Sequence, residues 1–248
     1  VVGGVLVLVV AAVCVRLGIW QLDRLDQRQA ENARVREGMQ ADVVALDALV
    51  PPGGTPRPSL EYRRVSVRGR YDPRREVLVT ARSLNGRPGQ HVVTPLVTGG
   101  GTAVLVNRGF VQVVDPEAPV PERAAPPSGQ VEVVGLLRPS ERRERFGPQD
   151  AAEGTLRSVA RVDVERLAAQ MPYDVSPMFV QLQEQRPPQG EIPVALPPPD
   201  LGEGPHLNYA VQWFLFATVF LVGYPVLVRR RASPVRPSGV ARDARPTV

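Results

Sequence analysis

Apolar residues are arranged in two ways along this chain: as a long run near each end, and as short alternating runs between. The first long run, "VVGGVLVLVVAAVCV", reaches Trp20 if Arg16 extends its guanidinium toward the surface, and the second, Tyr209 to Val228, carries no charge. About 20 apolar residues cross a hydrocarbon layer roughly 30 Å thick, so each run predicts a membrane helix. A cleaved signal peptide would need a small-residue site after the first run, and "LGIWQLDRL" offers none. The chain starts at Val1 without Met, which points to further upstream residues lengthening that helix.

Between the long runs the pattern changes twice. "LDQRQAENARVREGMQADVVALDALV" is rich in helix formers and lacks Pro, so it predicts a stalk continuing the first helix, broken near Gly38 and ended by "PPGGTPRPS". A two-residue period then begins in "YRRVSVRGRY", and "EVLVTARS", "HVVTPLV", "TAVLVNRGFV", "VEVVGLLR" and "MFVQLQE" are further short β-branched runs. Asn85-Gly86 and the tract Gly99 to Gly101 lie between such runs, where hairpins need residues tolerant of positive φ. A phosphate-cradling loop is the other reading of the triple glycine, but a strand pattern follows it where such a loop would open a helix. "DVERLAAQM" predicts one short helix from Asp163 to Met171, with Asp163 as N-cap and Pro172 as stop.

These signals give six segments: a transmembrane helix over 1–21, a helical stalk over 22–50, a β-rich domain over 60–185, a Pro/Gly-rich linker over 186–205, a second transmembrane helix over 206–228 and a basic tail over 229–248. The fold class expected is two transmembrane α-helices flanking an antiparallel, barrel-like β domain with one short helix. Charge then sets the topology. The tail holds Arg229, Arg230, Arg231, Arg236, Arg242 and Arg245 against the single acid Asp243, so both termini are expected in the cytoplasm and the domain outside it.

Composition excludes several functions. All 30 basic residues are Arg and the net charge is only +5, with Asp and Glu interleaved over most of the length, which argues against a nucleic-acid face and suits a GC-rich bacterial genome. Cys14 is the one cysteine, so neither an intrachain disulfide nor a cysteine-based metal cluster can form. Only His91 and His206 could serve as imidazole bases, and no G-x-S-x-G elbow or H-E-x-x-H spacing accompanies them, so no enzyme is expected.

The polar edge of the second apolar run remains. His206, Tyr209, Trp213, Phe216 and Phe220 recur every three or four residues and form one helical stripe, with Gln212 beside it; Arg16, Trp20 and Arg24 recur every four on the first helix, with Gln21 adjoining. The plainer reading is an aromatic belt at headgroup depth, with His206 hydrated at the interface. The sharper one is a pocket between the helices with aromatic walls, an imidazole, and arginines for an anionic ligand, as a haem with its propionates requires. His91, in the strand pattern, reads as a structural or surface residue.

"LGIWQLDRL", "YRRVSVRGRYDPRREVLV" with "GQHVVTPL", "VLVNRGFV" and "HLNYAVQWF", in that order, resemble the SURF1 (Shy1-like) family of cytochrome c oxidase assembly factors. The resemblance implies a bacterial plasma-membrane protein that helps haem a reach the catalytic subunit of an aa3-type oxidase, as a chaperone of complex IV, with haem a synthase as a further partner beside the lipid bilayer. It implies His206 as the ligand of haem iron; the mechanism expected from the residues is that Trp20, Tyr209, Trp213 and Phe216 enclose the ring, Arg16 or Arg24 pairs with a propionate, and Gln21 or Asn208 hydrogen-bonds the other imidazole nitrogen. A scaffold that holds the nascent subunit and never touches haem is the alternative. Asn107, Arg108 and Gly109 fall on the family's N-R-G turn; Gln112 stands where Pro is common, and Ser158-Val159 where an aromatic pair is common.

Overall fold

A computed structural model describes residues 2–51, 53–112, 121–143 and 147–232. They fall into two compact units, residues 1–32 with 201–248 and residues 33–200. The described α-helices are α1 (Val2–Gln40), α2 (Leu46–Leu49), α3 (Val164–Ala168) and α4 (His206–Ala232). The strands are β1 (Val44–Ala45), β2 (Arg64–Tyr71), β3 (Val77–Leu84), β4 (Arg87–Thr98), β5 (Ala103–Val111), β6 (Val131–Pro139), β7 (Ser158–Val159) and β8 (Met178–Arg186).

The first unit is a helix pair. Val2–Gln40 and His206–Arg230 are each long and apolar enough to cross a membrane. On the part of α1 in this unit the buried positions are Ala11, Cys14, Gly18, Leu25 and Asn32, with Gly4, Val7, Val10, Leu17, Gln21 and Arg28 partly shielded, and the buried ones follow the three-four spacing of a packed seam. Its upper half is small. A Cβ on Gly18 would lie 2.7 Å from the Phe214 ring, and one on Gly3 would lie 2.9 Å from the Tyr224 hydroxyl, so the backbone of α1 runs against aromatic side chains of an antiparallel α4. Without a hydrophobic drive between helices in lipid, such close contact is what holds a helix pair together.

In the second unit the strand order is β1-β2-β6-β8-β5-β4-β3-β7, and β2 also pairs with β4. The ladders therefore return on themselves through β2, β6, β8, β5 and β4. Three pairings are parallel, β1 with β2, β3 with β7 and β5 with β8, so the sheet is mixed and the expectation of a purely antiparallel one is corrected. The parallel pairings follow from the connections. β8 lies between β6, with which it pairs antiparallel, and β5, with which it pairs parallel, and the chain from β5 to β8 passes through β6, β7 and α3 on the way.

Alternation sorts the core. Val65, Val67, Val104, Val106, Val133, Val180 and Leu182 pack in one cluster with Leu46 and Val50, while Leu105 and Phe179, one residue out of phase, join Val77, Val93, Val162, Val164 and Leu167 in a second. β5 is buried at every position because both its faces are covered, and this is why its sequence reads as a continuous apolar run.

Several local expectations meet a physical reason here. Asn85 and Gly86 take φ of 52° and 74° between β3 and β4, the double positive φ of a tight hairpin. Asp163 caps α3 by accepting from the Arg166 amide at 3.1 Å, and α3 ends at Ala168, short of the expected Met171. The helical stalk stops at Gln40 and not Val50, because Val44 and Ala45 pair in parallel with Val65 and Ser66. The helix runs through Gly38 without a break; a Cβ there would sit 3.1 Å from the Tyr62 backbone, so this glycine serves close approach. Asn107, Arg108 and Gly109 lie inside β5 and are not a turn: Gly109, at φ 129°, sits at a register shift opposite Val92 and Val93, and a Cβ on it would strike the Val194 carbonyl.

Candidate functional site

α4 opens at His206 directly after Pro205, whose carbonyl accepts from the Tyr209 amide at 3.1 Å. The preceding residues are tied to α1. Asn32, 2% exposed, donates from Nδ2 to the Leu201 carbonyl at 2.8 Å, and Gln29 donates from Nε2 to Glu203 Oε1 at 3.1 Å. His206 Nδ1 then meets Gln21 Oε1 at 2.9 Å. An amide oxygen can only accept, so Nδ1 is the donor in this contact and Nε2 is the ring nitrogen that Gln21 does not engage.

The other residues of the expected pocket divide. Trp213 is half-buried on the face that carries His206, Ala210 and Ala217, and it meets Phe216 edge to face at 5.9 Å. Tyr209, Phe216 and Phe220 stand exposed along one border of that face. Trp20 is 45% exposed, and with Arg16 it lies two residues from Gly18, a rotation of about 200° around the helix that turns both from the seam. Arg24 covers Trp20 at 6.0 Å and donates to Gln27 at 3.0 Å. The helix pair thus brings His206 together with Gln21 and Trp213 with Phe216, but Arg16, Trp20 and Arg24 do not come to His206. The polar contact across the helix pair at this level is the one between His206 of α4 and Gln21 of α1.

A second polar group is buried in the sheet unit. Arg108, fully shielded, donates from Nη1 to Glu76 at 3.0 Å and from Nη2 to the Ala124 carbonyl at 2.7 Å, while Thr94 also donates to Glu76 and the Tyr71 ring lies 5.4 Å from the guanidinium carbon. Burial raises the Glu76 carboxyl above its ordinary range against the opposing pull of Thr94 and Arg108, and burial likewise lowers the Arg108 guanidinium. The two charges are thus taken out of water together and compensate each other. His91, on β4, is similar: Gly109 N donates to Asn107 Oδ1 at 3.2 Å, which turns Asn107 Nδ2 toward His91 Nδ1 at 3.3 Å. Desolvation, then the charge of Arg82, lowers His91 from 6.5 to about 4.

The model of the SURF1 family matches residues 8–218 of the chain. This protein belongs to the SURF1 family. An uncharacterized SURF1-like protein of Mycobacterium bovis and one of Mycobacterium tuberculosis are each 31% identical over 209 residues, covering 84% of this chain and 74% of the relative. Surfeit locus protein 1 of Homo sapiens is 27% identical over 217 residues, covering 80% of this chain and 68% of its own length. The matched range takes in most of α1 and the first half of α4, so both Gln21 and His206 lie inside it.

Sequence reasoning passed over Asn32, Gly18 and Gly204. The heptad Gly4, Ala11, Gly18, Leu25 and Asn32 could have revealed the seam, whereas Gly204 belongs to no helical repeat.

Proposed function

We propose that this protein is a membrane assembly factor for an aa3-type haem-copper oxidase, presenting haem a to the catalytic subunit and catalysing no reaction of its own. In this reading the helix pair crosses the bacterial plasma membrane with both termini cytoplasmic, and the closed circuit of ladders is a small barrel outside it, where haem a synthase and the nascent subunit are met. The observation that carries the reading is the His206–Gln21 hydrogen bond, which fixes the tautomer that axial ligation needs and orients the ring from behind. The donor set suits haem in kind: a neutral nitrogen for iron, with Tyr209, Trp213 and Phe216 as apolar neighbours on the same helix. Haem a, if bound, would supply an iron for which His206 is the residue that would hold it. Gln21 holds the Nδ1 proton, and Trp213 and Phe216 keep water from the ring. Arg16, Trp20 and Arg24 lie on a lipid-facing side and serve as an interfacial anchor.

The exposure of Trp20, Tyr209, Phe216 and Phe220 favours a second reading, in which these faces hold helices of the nascent subunit and haem is never touched. A reduced-minus-oxidised visible spectrum of the purified protein from cells that make haem a separates the two. A haem a signal that His206→Ala loses is expected. A folded wild type without signal overturns the haem reading in favour of the scaffold.

A further inference from the structure

Residues 201–205 approach His206 as a short strap, and its attachment is more extensive than a linker requires. Asn32 holds Leu201, Gln29 holds Glu203, and Gln21 holds His206 itself, so successive contacts descend α1 as the strap runs toward α4. Asn32 is almost wholly buried although it lies in a charged stretch of helix, which commits its amide to the strap carbonyl. Gly204 completes the arrangement. It adopts φ 71°, and a Cβ built there would rest 3.4 Å from His206 Cδ2 and 3.5 Å from Nε2. A side chain at 204 would therefore stand against the one ring nitrogen that the Gln21 hydrogen bond leaves open.

We propose that this strap is a positioning device for His206: Asn32 and Gln29 pin it to α1, and Gly204 keeps the Nε2 edge of the imidazole uncovered for iron. The proposal rests on His206 being the ligand. It adds that access to Nε2 is set by the strap and not by the aromatic stripe of α4. Glycine is needed at 204 for two separable reasons, positive φ and absence of a side chain. Asn tolerates the left-handed backbone while adding a side chain, so Gly204→Asn isolates the second.

The test is carbethoxylation of the purified full chain by diethyl pyrocarbonate, read by peptide mass spectrometry, with His91 as internal reference because the chain has only 2 histidines. In the wild type His206 should be modified readily. Gly204→Asn should slow His206 several-fold and leave His91 unchanged, which also shows that the sheet unit remains folded. Asn32→Asp, which cannot donate to the Leu201 carbonyl, should change the His206 rate, and Asn32→Gln, which keeps the donor, should restore it. The same proteins are then titrated with iron protoporphyrin IX and examined for the low-spin signature of histidine ligation, expected in the wild type and lost in Gly204→Asn. A His206 rate unmoved by Gly204→Asn overturns the strap, whatever the wild type binds. The expected modification pattern with no porphyrin signal in the wild type upholds the strap's control of access to the ring and overturns iron protoporphyrin as the group it serves, leaving haem a to the spectrum of the protein from cells that make it.

Discussion

In the sheet unit His91 accepts through Nδ1 from Asn107 at 3.3 Å, whereas in the helix pair His206 donates through Nδ1 to Gln21 at 2.9 Å. The difference follows from what fixes each partner amide. Gly109 N occupies the oxygen of Asn107 and leaves its NH2 to face the ring, so His91 closes a local network beside Phe110. Gln21 turns its oxygen to His206 and leaves Nε2 to face away. The two units treat other polar groups in the same two manners. Arg108 and Glu76 spend their charges on each other and on Thr94 and Ala124, while the helix pair arranges three side-chain hydrogen bonds around one atom that none of them uses. The first group pairs its charges internally and leaves only Arg108 Nε without a partner, inside the shielded interior, whereas the second leaves a ring nitrogen that the Gln21 hydrogen bond does not use.

The largest effect that would test this contrast is in the sheet unit. Glu76→Ala leaves the Arg108 charge shielded and uncompensated, and should cost about 3–5 kcal/mol of stability, read by denaturant unfolding. Replacing both partners, Glu76→Leu with Arg108→Met, should cost less than the single change, since the desolvated charge is gone. Neither should alter carbethoxylation of His206 in the folded fraction. Equal losses for the single and double variants would mean that the pair acts through packing alone.

A smaller loss is expected in the helix pair. Gly18→Val pushes methyl groups into the Phe214 ring, where even a Cβ would lie 2.7 Å away, and should cost about 1–3 kcal/mol by strain, read as a lowered melting temperature of the helical signal in detergent. Gly18 is one turn from Gln21, so the same variant should also loosen the His206 hydrogen bond and change its reactivity. Unchanged melting and reactivity would place the seam elsewhere.

How much of this was legible depends on the range of the interaction. The strands and the Asn85-Gly86 hairpin were readable because alternation and positive-φ residues act within a few positions. The mixed topology was not, since β5 and β8 meet through Val106 with Val180 and Asn107 with Gln181, residues far apart in sequence with no local mark of parallel pairing. Helical spacing collected His206 and Trp213 on one helix and Trp20 and Arg16 on the other, while Gln21, which meets His206, entered only as a neighbour of Trp20. A helix presents all its faces to a periodicity argument, and only the small-residue seam at Gly4, Ala11 and Gly18 tells which one meets the partner. Asn32 and Gly204 escaped because their roles are contacts across more than 160 residues in one case and an absent side chain in the other.

The smallest effect concerns the two histidines themselves. His91 titrates at about 4 in the folded chain, below its ordinary 6.5, because burial and the Arg82 charge disfavour the imidazolium. Between those values the unfolded chain binds a proton that the folded chain refuses. The stability this residue contributes is therefore complete above pH 6.5 and is lost as pH falls toward and through about 4. With the ring partly open to solvent, the loss should be about 1 kcal/mol. His91→Gln retains a group able to accept from Asn107 and does not titrate, so its stability should fall less steeply over that interval when urea midpoints are followed with pH. His206→Gln removes the open Nε2 but no buried charge, and should leave the wild-type acid limb in place. If His206→Gln flattened the limb and His91→Gln did not, the assignment of one histidine to the fold and the other to the site would be reversed.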